Sequence, residues 1–232
     1  MIKRDINQSD NLNSELLNLI EFKYKFSNKP IKRITTKPTL ENLRSKLQDL
    51  KEKIENSDIH ELKNNQKKII FDDGNISSPI MIIGDNPTQE DSKLGKPFLD
   101  DSGKLLDKML NAITLNRDSV YITNLIKYAV PEGIKIEQSE MNKHSEFLKK
   151  HISIIDPKIL VLMGVKAMNA ILGNKLKITE ERGKWKEVII GEKNYKIITT
   201  FHPAYLLRKP EKKKFSWEDL KKIKKKIIEL NI

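Results

Sequence analysis

Cysteine is absent from all 232 residues. Disulfides, thiolate catalysis and cysteine-ligated metal clusters are therefore excluded. The four histidines, His60, His144, His151 and His202, match no compact zinc spacing, so neither a metal nor another cofactor is expected. No apolar run approaches the roughly 20 residues of a membrane span, and the first residues lack a charged segment followed by an apolar signal region. A soluble, cytoplasmic, monomeric chain is the expectation, without a membrane or an obligatory protein partner. The chain also has no internal repeat, no glycine-rich dinucleotide fingerprint and no phosphate-loop lysine, which argues against a nucleotide-dependent small-molecule enzyme.

What is abundant is positive charge. Lys and Arg number 44 against 32 Asp and Glu, a formal net charge of +12. Such an excess favours a polyanionic partner through counterion release, although lysine-rich composition also accompanies a chain rich in Ile and Asn. The excess gathers near the C-terminus, from Arg208, Lys209, Lys212, Lys213 and Lys214 to Lys221, Lys222, Lys224, Lys225 and Lys226. A solvated helix face would read the same way.

Residues 1–65 are polar and carry helical apolar spacing in Leu12, Leu16, Leu17, Leu19 and Ile20, and again in Leu40, Leu43, Leu47 and Leu50. They read as an N-terminal extension of two helices joined by a linker from Pro30 to Pro38. From residue 66 to 232 the pattern changes to short apolar runs alternating with amphipathic stretches. Strands are expected at 79–83, 120–123 and 159–163, near 188–190 and at 195–201, with helices at 103–113, 140–154, 165–172 and 215–230. This alternation predicts a three-layer α/β/α domain around a mainly parallel sheet of four strands. In such a sheet ligands bind beyond the carboxyl ends of the strands. Gly84-Asp85-Asn86-Pro87, Thr123-Asn124, Gly164 and His202-Pro203 stand at four of those ends, so a carboxylate, an amide and an imidazole converge on one mouth.

The segment His202-Pro203-Ala204-Tyr205-Leu206-Leu207-Arg208 joins an imidazole, a φ-fixing proline, apolar tips and an arginine. Apolar tips can wedge between base steps while an arginine holds phosphate. A strand end followed by a helix, with His202 as its cap, accounts for the same residues.

Together these motifs resemble the uracil-DNA glycosylase superfamily, and in particular its family 4, over about residues 66–230. The resemblance rests on Gly84-Asp85-Asn86-Pro87-Thr88-Gln89-Glu90-Asp91, on Gly95-Lys96-Pro97-Phe98-Leu99-Asp100 at the family's spacing, and on Ser102-Gly103-Lys104-Leu105-Leu106-Asp107. It continues through Val120-Tyr121-Ile122-Thr123-Asn124, Arg182-Gly183-Lys184-Trp185, the His202 to Arg208 segment and Trp217-Glu218-Asp219-Leu220. The resemblance implies a monofunctional glycosylase that hydrolyses the N-glycosidic bond of uracil in DNA and leaves an abasic site for base-excision repair. Its partner would be uracil-containing DNA, with the target base flipped out of the stack.

By the same resemblance Phe98 stacks on uracil and Asn124 reads its edge, while Asp85 orients the water and supports the sugar cation. His202 stabilises the leaving base. Thr88 and Asp91 become candidates for shaping the pocket, and Ala204, Tyr205, Leu206, Leu207 and Arg208 for holding DNA. Taken alone, Phe98 also reads as core packing and Asn124 as a strand-end turn residue. Asp85 stands where the family has glutamate, Thr88 and Asp100 where it has glycines, and Tyr128 and His144 at or near places of iron-sulfur cysteines. The cluster is expected to be absent, with packing closing its place. Two alternatives follow from these departures: a glycosylase for another deaminated base such as hypoxanthine or xanthine, or a DNA-binding module of the same fold with a decayed site.

Overall fold

The computed structural model describes residues 39–57, 69–131 and 133–232. The expected helix around Leu12 to Ile20 and the linker from Pro30 to Pro38 lie outside the described residues. The first described element is helix α1, Leu40–Glu55, capped by Thr39, whose side chain accepts from the Asn42 N–H. Its apolar residues Leu43, Leu47, Leu50 and Ile54 recur at helical spacing and are buried along one stripe. Although α1 falls in the stretch read as an N-terminal extension, Leu47, Leu50 and Ile54 pack into the core of the sheet domain.

Six strands follow: β1 Asp73–Gly74, β2 Ile80–Gly84, β3 Tyr121–Asn124, β4 Ile159–Met163, β5 Trp185–Ile190 and β6 Lys193–Thr200. Their order is β1-β3-β2-β4-β6-β5. The four inner strands are parallel, as the sequence predicts, and β1 and β5 close the two edges in antiparallel register. The sheet thus has two strands more than expected. β5 is half exposed with polar residues between its apolar ones, and β1 is two residues long, so neither gives the unbroken apolar run of an inner strand.

Every residue of β2, β3 and β4 is buried, and alternate residues serve opposite faces. Met81, Ile83, Tyr121, Leu160, Leu162 and Ile197 pack with α1, with α4 (Gln138–Ile155) and with α5 (Val165–Leu172). Ile80, Ile82, Ile122, Val161, Met163 and Ile198 pack with α3 (Asp101–Asn111), α7 (Pro203–Arg208) and α8 (Lys213–Glu229). This is the expected three-layer arrangement. Two short helices, α2 (Gln89–Leu94) and α6 (Ile178–Glu181), lie in the connections.

Chain order explains where a ligand can sit. From β2 the chain crosses to β3 on one side and then to β4 on the other, so the carboxyl ends of β2 and β4 flank a topological switch point. A buried lock holds the neighbouring β6 end. The Asp219 carboxylate on α8 accepts from Arg182 at 3.0 and 2.5 Å and from the Thr200 hydroxyl at 2.8 Å. Gly183 allows that approach: a Cβ there would lie 2.2 Å from the Asp219 Oδ1.

Candidate active site

The switch point opens into a cavity of about 490 Å³ lined by residues from all four parallel strand ends, among them Asp85, Phe98, Asn124, Gly164 and His202. Asp85 leaves β2 and its Oδ1 accepts the Ala167 N–H at 2.8 Å, in the first turn of α5, where the helix dipole favours a carboxylate. Gly164 makes the position possible, since at its φ of +114° a Cβ would stand 2.5 Å from either Asp85 oxygen. Burial pushes the Asp85 pKa up to about 6, against the pull of the Ala167 N–H and the Lys166 charge. Lys166 itself donates to the Asn86 Oδ1 at 2.9 Å and so ties the β2 loop to α5.

Phe98 is 2% exposed and holds a φ of 57°, a left-handed conformation that is unfavourable for a bulky residue and persists only where the surroundings enforce it. The surroundings here are specific. Arg117 donates to the carbonyls of Pro97 and Phe98 while pairing with Asp73 at 2.9 Å and Asp107 at 2.7 Å. From within, the Asp91 Oδ1 accepts the Leu99 N–H at 2.6 Å. Gly103 leaves room for the Phe98 carbonyl, 1.8 Å from where a Cβ would fall. Asp100 caps α3 by accepting from the Gly103 N–H, which accounts for an aspartate at that position.

Asn124 ends β3 opposite Gly84. Its side-chain oxygen is buried and has no hydrogen-bond partner, a costly condition that a ligand donor would relieve. A Cβ at Gly84 would fall 2.3 Å from this oxygen and 2.4 Å from the Phe98 ring, so glycine keeps the cleft between them open.

His202 is both cap and candidate catalyst. Its Nδ1 accepts the Ala204 N–H at 3.2 Å as the cap of α7, which assigns the proton of the neutral ring to Nε2. That Nε2 is buried and unpartnered. Burial lowers the pKa to about 4, so at neutral pH the ring is an uncharged donor facing the cavity. The Phe98 and His202 rings are stacked with centroids 5.3 Å apart.

Thr88 and Asp91 line the cavity, but their polar groups are engaged by the backbone. They form the capping box of α2, each side chain accepting from the other residue's N–H. Asp91 thereby positions the Phe98 turn. Ala204, Tyr205 and Arg208 line the mouth. The expected loop tip is instead the helix α7 with Pro203 at its first position, which places Leu206 and Leu207 on different faces. Leu206 is 1% exposed in the core and cannot serve as a wedge, whereas Leu207 is 42% exposed. Leu207→Ala should therefore slow excision from duplex DNA more than from single strands with an unchanged melting temperature. Leu206→Ala should cost about 2–5 kcal/mol of stability, read by denaturant unfolding, with equal effects on both substrates.

Sequence reasoning missed Lys166, Asn86, Ser102, Ile178 and Thr179 in the cavity wall. Lys166 sits two residues after a strand-ending glycine, the one local signal that marked it. The residues at the expected cluster positions do not fit an iron-sulfur group. Tyr128 is packed in the apolar core, His144 is 2% exposed with its Nε2 3.6 Å from the Glu140 carboxylate, and the chain supplies no thiolate.

The family model described as "Uracil DNA glycosylase superfamily" matches residues 71–222. A Type-4 uracil-DNA glycosylase of Thermotoga maritima is 33% identical over 163 residues, 69% of this chain and 83% of its own. One from Sulfurisphaera tokodaii is 37% identical over 164 residues, 67% and 73% of the two chains. One from Archaeoglobus fulgidus is 32% identical over 170 residues, 72% and 84%.

Proposed function

The chain belongs to the uracil DNA glycosylase superfamily, and from that premise we propose that it hydrolyses the N-glycosidic bond of uracil in DNA, leaving an abasic site. The observation that carries this is the pair of buried, unpartnered polar atoms in one cavity, the Asn124 Oδ1 and the His202 Nε2. They complement the edge of a uracil. Asn124 accepts from N3–H, which cytosine in its usual form lacks, and His202 donates to O2, where negative charge develops as the bond breaks. Phe98 supplies the apolar surface against the base plane. Gly84 gives the base its slot.

Asp85 acts on the sugar side. As the carboxylate, it stabilises the oxocarbenium-like sugar and orients or deprotonates the attacking water. A shorter side chain than glutamate sets its carboxyl closer to the β2 backbone, and the Ala167 N–H fixes it there. No group in this sequence of steps is a lysine nucleophile, so the strand is left uncut. The catalytic unit is assigned to residues 66–232, with residues 1–65 as an extension, and the protein acts in the cytoplasm on DNA without a membrane or an obligatory protein partner.

Incubation with oligonucleotides carrying uracil, hypoxanthine or xanthine, followed by alkaline cleavage, tests the reading. Strand breaks confined to the uracil substrate are expected. Breaks only at hypoxanthine or xanthine would replace the substrate, and none at all would leave a DNA-binding module. Asn124→Ala should raise the barrier for uracil by about 1–3 kcal/mol, and unchanged single-turnover rates would remove the edge-reading role.

A further inference from the structure

Beyond the pocket mouth, on α8, Phe215 is 37% exposed and carries an unusual set of neighbours. The Nζ atoms of Lys212 and Lys214 lie 5.6 and 5.2 Å from its ring centroid, and the Arg182 guanidinium 5.2 Å. Such contacts are attractive but modest at exposed sites, and gathering like charges around one ring works against their mutual repulsion. The three cations differ in what else they hold. Arg182 is neutralised by Asp219 and donates to the Phe215 carbonyl. Among the described residues neither Lys212 nor Lys214 pairs with a carboxylate. From 208 to 214 the chain has five cations against one anion, Glu211.

The patch is also connected to the cavity. The Arg182 guanidinium lies 5.6 Å from the Phe201 ring as well as 5.2 Å from that of Phe215, and the Phe201 ring meets Tyr205 at 5.0 Å. Phe201 and Tyr205 both line the cavity. A half-exposed aromatic ring that draws two unpaired ammonium groups together beside a base-sized cavity has the charge and shape to hold the backbone of a nucleic-acid strand.

We propose that Phe215, with Lys212 and Lys214 drawn over its ring, is a phosphate-gripping site for the DNA strand whose nucleotide enters the cavity. This rests on the reading of the cavity as a DNA-base site. The ring organises the two lysines and the lysines hold the phosphates, so the three residues act as one unit.

The test is fluorescence anisotropy of the full chain with a labelled oligothymidylate that contains no uracil, over a series of salt concentrations. Phe215→Leu should weaken binding roughly five- to ten-fold, and Lys212→Ser with Lys214→Ser by roughly ten-fold or more. The lysine pair should also flatten the plot of log affinity against log salt by about one unit. Because the ring works through the lysines, the triple variant should bind about as the lysine double variant does. Melting temperatures and single-turnover excision rates at saturating protein should match the wild type. Wild-type affinity in Phe215→Leu, or a triple loss equal to the product of the separate losses, would overturn the proposal. So would a lowered excision rate at saturation. Failure of uracil excision in the wild type alongside the expected binding pattern would overturn the glycosylase reading and leave this site standing.

Discussion

His202→Ala should slow single-turnover release of uracil by at least roughly 10²-fold, with little change in DNA affinity, because the lost group acts where charge appears in the transition state. The loss should be nearly uniform above about pH 6. His202 has its pKa lowered to about 4 by burial, so the ring is neutral throughout that range and its donor strength does not vary with pH. The same substitution removes the acceptor for the Ala204 N–H, at about 1 kcal/mol for a lost cap. His202→Asn separates the two effects. An asparagine can accept that N–H and restore stability without reaching the cavity as the imidazole does, so it should melt near the wild type yet remain slow. A normal rate in either variant would remove His202 from the chemistry.

Asp85→Asn should cost a similar factor in rate and make the protein more stable at neutral pH. The carboxyl pKa is raised from 3.8 to about 6 by burial. Between those values the folded chain binds more protons than the unfolded one, so stability falls as pH rises through the window and the whole penalty is carried above it. Two pKa units set an upper bound of about 3 kcal/mol, and the amide keeps an oxygen for the Ala167 N–H without the charge. His202 contributes with the opposite sign, its lowered pKa making stability rise with pH from about 4 to its ordinary 6.5. The wild-type melting temperature should therefore vary little over this range, and that of Asp85→Asn should climb with pH. Excision by the wild type should decline as pH drops through about 6, when Asp85 takes up its proton. A normal rate together with a lower melting temperature in Asp85→Asn would defeat the assignment.

The sequence made the inner sheet readable because buried parallel strands are continuous apolar runs, and Ile80 to Ile83 or Ile159 to Met163 admit few other readings. It also made the strand-end polar residues readable, since in this architecture they converge on one mouth. Side-chain direction was less accessible. Leu206 and Leu207 are adjacent letters, and only the helix beginning at Pro203 sends one to the core and the other to solvent. Asp91 looked like a pocket acid, yet its hydrogen bonds go to backbone N–H groups of Thr88 and Leu99, one of them eight residues away. Lys166 was hidden in an amphipathic pattern because its partner, Asn86, is 80 residues distant. The edge strands escaped for want of a two-sided apolar environment, and the α1 helix was legible as a helix while its docking against the sheet was not.

The lock formed by Arg182, Gly183, Thr200 and Asp219 bears on inheritance. These residues come from three separated parts of the chain yet share one buried carboxylate. A lineage that exchanges Asp219 for an apolar residue strands the Arg182 guanidinium, and one that gives position 183 a side chain collides with the carboxylate. Drift at one member is therefore viable only with compensation at the others, and the Arg-Gly and Trp-Glu-Asp-Leu signatures behave as a single heritable character. A hybrid gene joining residues 1–202 of this chain to the C-terminal helices of a relative would keep His202 in place only when the donor segment brings an acid to meet Arg182.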